Sequence, residues 1–234
     1  MAHVDNELRA ARRQAAPVTV RVVQLRFHWT ERAEGVVSVD FHPTTHKLLT
    51  AGCDGSVKVW NFDRENAHDA LTDDTNDLQS VLKFASVLTS DDHPTPNVAR
   101  WSPAGNLIVA AYVLGEVIVW KPADATAGDF DKSDERSLNT EHWGMHRVLK
   151  LPSEAVDARM SPCSRYVISC CIEGTIYVHM ADTGTHLQML SNVEAHETGT
   201  QHVAFDPLMQ LASSYGADRT VKFYKVVMKK HGAS

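Results

Sequence analysis

No apolar run in this sequence approaches the roughly 18 residues that a membrane-spanning helix needs, so no membrane partner is expected. The opening stretch, Met1 to Pro17, mixes Asp5 and Glu7 with Arg9, Arg12 and Arg13 and lacks the apolar core of a secretory signal. Basic residues are in the minority: 23 Lys and Arg stand against 29 Asp and Glu, a formal net charge of −6 over 234 residues. Phosphate backbones are gripped by a surplus of Lys and Arg, so direct sequence-specific contact with nucleic acid is not expected either.

Cysteine is scarce. Cys53, Cys163, Cys170 and Cys171 form no CxxC pair and no repeated spacing of the zinc-ribbon or redox kind. Each sits in or near an apolar run, where a thiol packs as a small hydrophobe. A GxSxG elbow, a P-loop and a GxGxxG turn leading into a helix are all missing, as is any long amphipathic helix. The histidine pairs His42/His46 and His142/His146 have i,i+4 spacing, which converges on one metal only in a helix. The first is splayed by the turn proline Pro43, and the second has no evident third ligand. The paired acids Asp73-Asp74 and Asp91-Asp92 lie in polar stretches where no pKa-shifting cavity is expected. An enzyme is therefore not expected, and neither a cofactor nor a metal.

What is present is a repeat. Four segments align without a gap on a proline: VSVDFHP at Pro43, VARWSP at Pro103, DARMSP at Pro162 and HVAFDP at Pro207. Two residues before each proline stands Phe41, Trp101, Met160 or Phe205, and two before that Val39, Ala99, Ala158 or Val203. This period-two alternation predicts a half-buried strand entering a turn. A second apolar stretch follows each proline (LLTAG, LIVAA, YVISCC, LASSYG), then a turn, then a third strand. Twelve residues past the proline come Gly55, Gly115, Gly174 and, in the fourth copy, Arg219; seventeen past it come Trp60, Trp120, His179 and Tyr224.

These residues resemble the WD40 repeat, whose pattern runs from a GH pair through a strand ending in a Ser-Pro-type turn and an Asp-Gly-type turn to a strand closing in Trp-Asp. The resemblance covers residues ~20 to 225 and implies an all-β fold, a β-propeller of four-stranded blades with four blades recognisable. It also implies a set of blade-locking side chains. Repeat four keeps His196, Ser214 and Asp218 with Tyr224 in place of Trp; repeat one keeps Thr50, Asp54 and Trp60 but has Arg32 at the His position. Repeats two and three keep less, with Ala110 and Leu114 beside Trp120 in one, and Glu173 and His179 in the other. These blades are expected to lean on apolar packing.

The expected organisation is a disordered segment over 1–17, propeller blades over 18–228 and a tail over 229–234. Closed rings of this family have seven or eight blades, so four are expected to be part of a larger, seven-bladed ring; closure by two copies, or an open four-bladed form, are the alternatives. Residues 17 to 29, PVTVRVVQLRFHW, alternate like the outer strand that clasps a last blade. Acidic inter-blade insertions are expected at about 61–96 and 121–147. The first holds eight acids against two bases and so equals the net charge of the whole chain. In the second, the acids Asp129, Asp131, Asp134 and Glu135 cluster.

The second insertion ends in SLNTEHWGMHRVLKLP. Its Leu138, Asn139, Glu141 and Trp143, with the following strand Arg147 to Leu151, resemble the matching segment of the middle subunit of chromatin assembly factor 1 and of the HIR/HIRA proteins. Phe223-Tyr224 followed by Lys229-Lys230 resembles the assembly-factor subunit more closely. The resemblance implies a nuclear, non-catalytic scaffold in replication-coupled nucleosome assembly. Its partners would be the large and small subunits of the factor and, directly or indirectly, core histones. A HIR/HIRA-type chaperone and a generic WD40 adaptor, such as a ubiquitin-ligase substrate receptor, are the alternatives. Candidate partner-binding residues are Asp129, Asp131, Asp134, Glu135, Leu138, Asn139, Glu141 and Trp143, with Trp143 either an anchor for a partner or a pin for its own loop.

Overall fold

The computed structural model describes residues 35–62, 82–89, 95–123 and 141–227. The expectations for 1–17, for the clasp strand over 17 to 29 and for 229–234 lie outside these residues. The described chain is all-β, fifteen strands in four antiparallel meanders. Blade 1 is β1 (Val36–Phe41), β2 (Lys47–Gly52), β3 (Val57–Phe62) and β4 (Leu82–Leu88). Blade 2 is β5 (Pro96–Trp101), β6 (Ile108–Tyr112), β7 (Glu116–Pro122) and β8 (Trp143–Lys150). Blade 3 is β9 (Ala155–Met160), β10 (Tyr166–Cys171), β11 (Ile176–Met180) and β12 (His186–Leu190). Three strands of blade 4 are described: β13 (Thr200–Phe205), β14 (Leu211–Gly216) and β15 (Val221–Lys225).

Only three strands per repeat were legible from the proline register. The fourth strands of blades 1 and 2 fall in the ranges read as insertions, β4 inside 61–96 and the first half of β8 inside 121–147. Residues 63–81 and 124–140 remain between strands and lie outside the described residues. β8 also settles the geometry of the second histidine pair. His146 is in a strand and His142 directly precedes it, so the pair is not on a helix.

Side-chain parity builds the cores between the blades. All five residues of β6 are buried: Ile108, Ala110 and Tyr112 join a cluster with blade 1, while Val109 and Ala111 join one with blade 3. Strand β10 divides in the same way, Val167 and Cys171 toward blade 2 and Ile168 and Cys170 toward blade 4. Because successive side chains of a strand point to opposite faces, a continuous apolar run is what a sheet sandwiched on both sides requires. The buried Cys170 and Cys171 are packing residues, and all four thiols are unpaired.

Each inner strand, β1, β5, β9 and β13, enters its sheet through a bulge at the same repeat position, leaving Val37, Asn97, Val156 and Gln201 as the extra residues. A second recurring irregularity sits opposite the ring residue of the third strand, beside Trp60, Trp120 and His179. Bulges increase local twist, and here they recur with the repeat.

The turn into the third strand needs a left-handed residue. Gly55, Gly115 and Gly174 adopt φ of 85°, 88° and 98°, and Arg219 takes the same role at 63°. A Cβ on Gly174 would lie 1.7 Å from the His196 carbonyl oxygen, so backbone rather than a movable side chain bars it. Gly174→Ala should lower stability by about 2 kcal/mol or more, through strain and the displaced blade 3–blade 4 turn. Arg219→Gly relieves left-handed strain at the cost of unfolded-chain entropy, and should leave stability unchanged or raise it by up to ~1 kcal/mol. Urea midpoints of the two variants test the register; a neutral Gly174→Ala would contradict it.

Candidate interaction site

The blades are locked with unequal care. In blade 4 the buried His196, from the turn after β12, meets Asp218, Ser214 and the Thr220 hydroxyl directly. Its Nδ1 is 2.9 Å from Asp218 Oδ2 and its Nε2 2.7 Å from Ser214 Oγ, which is 2.9 Å from the Tyr224 hydroxyl. One proton arrangement satisfies the whole chain: Tyr224 donates to Ser214, Ser214 to His196 Nε2, and His196 Nδ1–H to Asp218. The tyrosine hydroxyl at the Trp position therefore extends the relay without breaking it. Blade 1 keeps a shorter version, with the Trp60 indole N–H donating to Thr50 Oγ1 at 2.9 Å. There Asp54 turns instead to Ser56 and to the Lys58 ammonium, 2.9 Å away. In blade 2, Trp120 is only 3% exposed and packs among Ala110, Ile118 and Ile108, so apolar contact does what hydrogen bonds do in blade 4. In blade 3, Ser169 Oγ and His179 Nδ1 have no protein partner among the described residues.

Desolvation pushes the Asp218 carboxyl up, but hydrogen bonds from the Thr220 N–H, from His196 and from the Thr220 hydroxyl outweigh it and hold its pKa at about 2. A carboxyl depressed by folding stabilises the native state above its ordinary range near 4, and that contribution disappears as pH falls through 2. The stability gap between the wild type and Asp218→Asn should therefore be widest near neutrality and close as pH drops from about 4 toward 2. Urea denaturation across that range is the check; a gap independent of pH would place the carboxylate outside the lock.

Polar side chains also tie each inner strand to the next. Asp40 accepts the Trp101 N–H at 2.9 Å, Asn97 donates to Glu154 and to the Ala155 carbonyl, both at 2.9 Å, and Asp157 accepts the Val203 N–H and meets His202 Nδ1. The inner strands surround a cavity of about 560 Å³ into which the bulge residues Val37, Val156, Asn97 and Gln201 project. A second cavity, of about 340 Å³, opens where the inner strands end at the turn prolines Pro103, Pro162 and Pro207. Among the described residues no group of three or more His, Cys, Asp or Glu side chains is placed to hold a metal ion.

Of the candidate partner-binding residues, Asp129, Asp131, Asp134, Glu135, Leu138 and Asn139 lie outside the described residues. Glu141 and Trp143 are held by the chain itself. The Glu141 carboxylate takes the Lys47 ammonium across the blade 1–blade 2 boundary, and its N–H donates to the Ala85 carbonyl at 3.1 Å. Trp143, half-buried at the start of β8, packs edge-on against Trp101 with ring centres 5.5 Å apart. His42 also packs against Trp101, with ring centres 4.6 Å apart. The His42 Nε2–H donates to the Gly105 carbonyl at 3.0 Å, while Nδ1 accepts the Thr44 and Thr45 N–H groups. Burial lowers its pKa and so favours this neutral tautomer. The His42–Trp101–Trp143 stack was not visible in the sequence; its three members come from different strand ends and meet only when blades 1 and 2 pack.

Comparison with known proteins agrees with this architecture. The family model "WD domain, G-beta repeat" matches residues 21–61. The four meanders are consistent with blades of that repeat. Relatives of the chain include a chromatin assembly factor 1 subunit of Mus musculus, 26% identical over 90% of this chain and 36% of that protein. The chromatin assembly factor 1 relative from Saccharomyces cerevisiae is 26% identical over 89% of this chain and 46% of its own length. "Protein hir1" of Schizosaccharomyces pombe is also 26% identical, over 85% of this chain and 21% of the relative. The chain thus spans between about a fifth and a half of the length of these relatives.

Within blade 2, Trp143 at the start of β8 packs against Trp101 at the end of β5. Trp143→Ala should cost about 2–3 kcal/mol, less than a fully buried Trp because part of the ring remains wet. A thermal midpoint equal to wild type would free Trp143 from this structural role.

Proposed function

We propose that this WD40 chain is a non-catalytic scaffold of a histone H3–H4 chaperone of the chromatin assembly factor type, acting in replication-coupled nucleosome assembly in the nucleus. The observation that carries the proposal is the similarity to the Mus musculus chromatin assembly factor 1 relative over nine-tenths of the chain. The matching family model is that of a repeat, which supports a scaffold role. Partners under this reading are the large and small subunits of the factor, and core histones directly or indirectly.

Charge placement supports the reading. The acid-rich ranges 63–81 and 124–140 connect the third to the outer strand of blades 1 and 2, so their roots lie at the rim of the blades, away from the axis. Acids at a rim meet a cationic protein without desolvating the propeller core, and their field steers its approach. We assign first contact to Asp129, Asp131, Asp134 and Glu135, with Leu138 and Asn139 beside them. The similarity to hir1 favours a second reading, a HIR-type chaperone with the same scaffold role.

Replacing Asp129, Asp131, Asp134 and Glu135 together by Ser should leave the thermal midpoint within about 1 °C, because solvated acids contribute little to stability. Capture of recombinant H3–H4 should fall several-fold at low salt, with the difference shrinking as salt screens the attraction. Unchanged capture at every salt concentration would remove the insertion from the histone-binding surface. Affinity purification from nuclear extract separates the remaining readings: the large assembly-factor subunit supports the first and HIR components the second. Ubiquitin-ligase components alone would overturn both.

A further inference from the structure

In a chain of net charge −6, two arginines converge at one end of the propeller axis. Arg100 and Arg159 stand at the same repeat position, three residues before the turn prolines of blades 2 and 3, and both line the 340 Å³ cavity at that end. The adjacent blades have Asp40 and Ala204 at this position. Blade 4 thus adds a small, exposed side chain that leaves the space open, with Met160 and Phe205 supplying an apolar wall.

Neither guanidinium is fully spent. Arg100 uses Nη1 alone, donating to Ser38 Oγ at 2.6 Å and to the Val39 and Ala99 carbonyls at 3.1 Å, all neutral acceptors. Arg159 reaches Asp157 only through Nε, at 3.4 Å, and its side chain is one-third exposed. The nearby carboxylates are occupied elsewhere: Asp40 accepts the Trp101 N–H, and the fully buried Asp157 serves Ala158, Val203 and His202. Neither carboxylate lines the cavity. Two like charges are therefore held side by side against an apolar wall, with planar donor edges that have no partner among the described residues. Such an arrangement suits a carboxylate, which an arginine fork binds bidentately.

We propose that this axial mouth binds an acidic, extended segment of a partner protein, seating an Asp or Glu carboxylate between Arg100 and Arg159 and an adjoining apolar side chain on Met160 and Phe205. Two cations in an acidic protein are too few for a nucleic-acid backbone, whose binding scales with the number of phosphates neutralised. The cavity is large enough for one or two side chains and too small for a folded domain. The proposal goes beyond the histone reading and does not rest on it, since the two surfaces are of opposite charge and respond to different probes.

The test is fluorescence anisotropy of the full chain with a labelled ten-residue peptide of Glu, Asp and Leu, and with versions carrying Gln or phosphoserine in place of every acid. The acidic peptide should bind and the Gln peptide should not. Arg159→Ala should weaken binding about tenfold, and Ala204→Glu should do the same by placing a resident carboxylate in the mouth. Among the described residues Arg159 and Ala204 make no blade-to-blade hydrogen bond through their side chains; Ala204→Glu should keep the wild-type thermal midpoint, while Arg159→Ala, which takes one partner from the buried Asp157, should melt lower but remain folded at the assay temperature. Arg100 is left intact because it braces blade 1. Failure of the acidic peptide to bind, equal binding by the Gln peptide, or full affinity in Arg159→Ala and Ala204→Glu would each overturn the proposal. Binding of the phosphoserine peptide alone would also overturn it, in favour of a phosphate site. None of these outcomes bears on histone capture by the insertion acids.

Discussion

Everything in this molecule depends on each blade having a neighbour on both faces. A four-stranded meander buries nothing by itself, and the apolar side chains of β6 and β10 leave water only because adjacent blades close over them. The three described cores therefore lie between blades rather than within them. It follows that a lock such as His196–Ser214–Asp218–Tyr224 orients one blade's strands on the turn before it, and its weakening elsewhere is tolerable where the interface is rich in Val, Ile and Trp. The same constraint marks the outer blades. Among the described residues, Val39 and Phe41 on blade 1 and Val221 and Phe223 on blade 4 are exposed, at repeat positions that in blades 2 and 3 are buried or half-buried.

The second organising influence is the separation of charge. In the sequence, acids fall in the connections that lead to the outer strands. Cations sit at the end of the inner strands, against apolar surface. Under the proposals above, the acidic connections and the axial mouth are surfaces of opposite charge, so two unlike partners would not compete for one surface. The polar bridges between inner strands, Asn97 to Glu154 and Asp157 to Val203, keep the wall of that axis rigid.

Much of the fold was legible because the repeat has punctuation. Proline marks the end of each inner strand, glycine the left-handed turn twelve residues later, and an aromatic ring or histidine the third strand, so the register carried over four copies. The missing outer strands were illegible for a physical reason. β4 and β8 follow long acidic connections, and an edge strand with one wet face, such as the mostly exposed β12, carries no apolar run to announce it. Trp143 stood out in the sequence as an aromatic beside a polar, acidic stretch, but its contact with Trp101, 42 positions earlier, is not readable from spacing.

The amino-acid sequence by itself determined the strand period, the turn positions, the repeat number over the described blades and the segregation of acids into connections, because each of these is a local property of spacing or composition. Only the tertiary structure decided which residues meet. Arg100 and Arg159 are separated by 59 positions and share a mouth because equivalent positions of adjacent blades are brought to one axis. His196, Asp218, Ser214 and Tyr224 share a proton relay because the turn before blade 4 folds back over its strands. Spacing along the chain sets where a side chain stands in its own blade, and packing between blades sets what it touches.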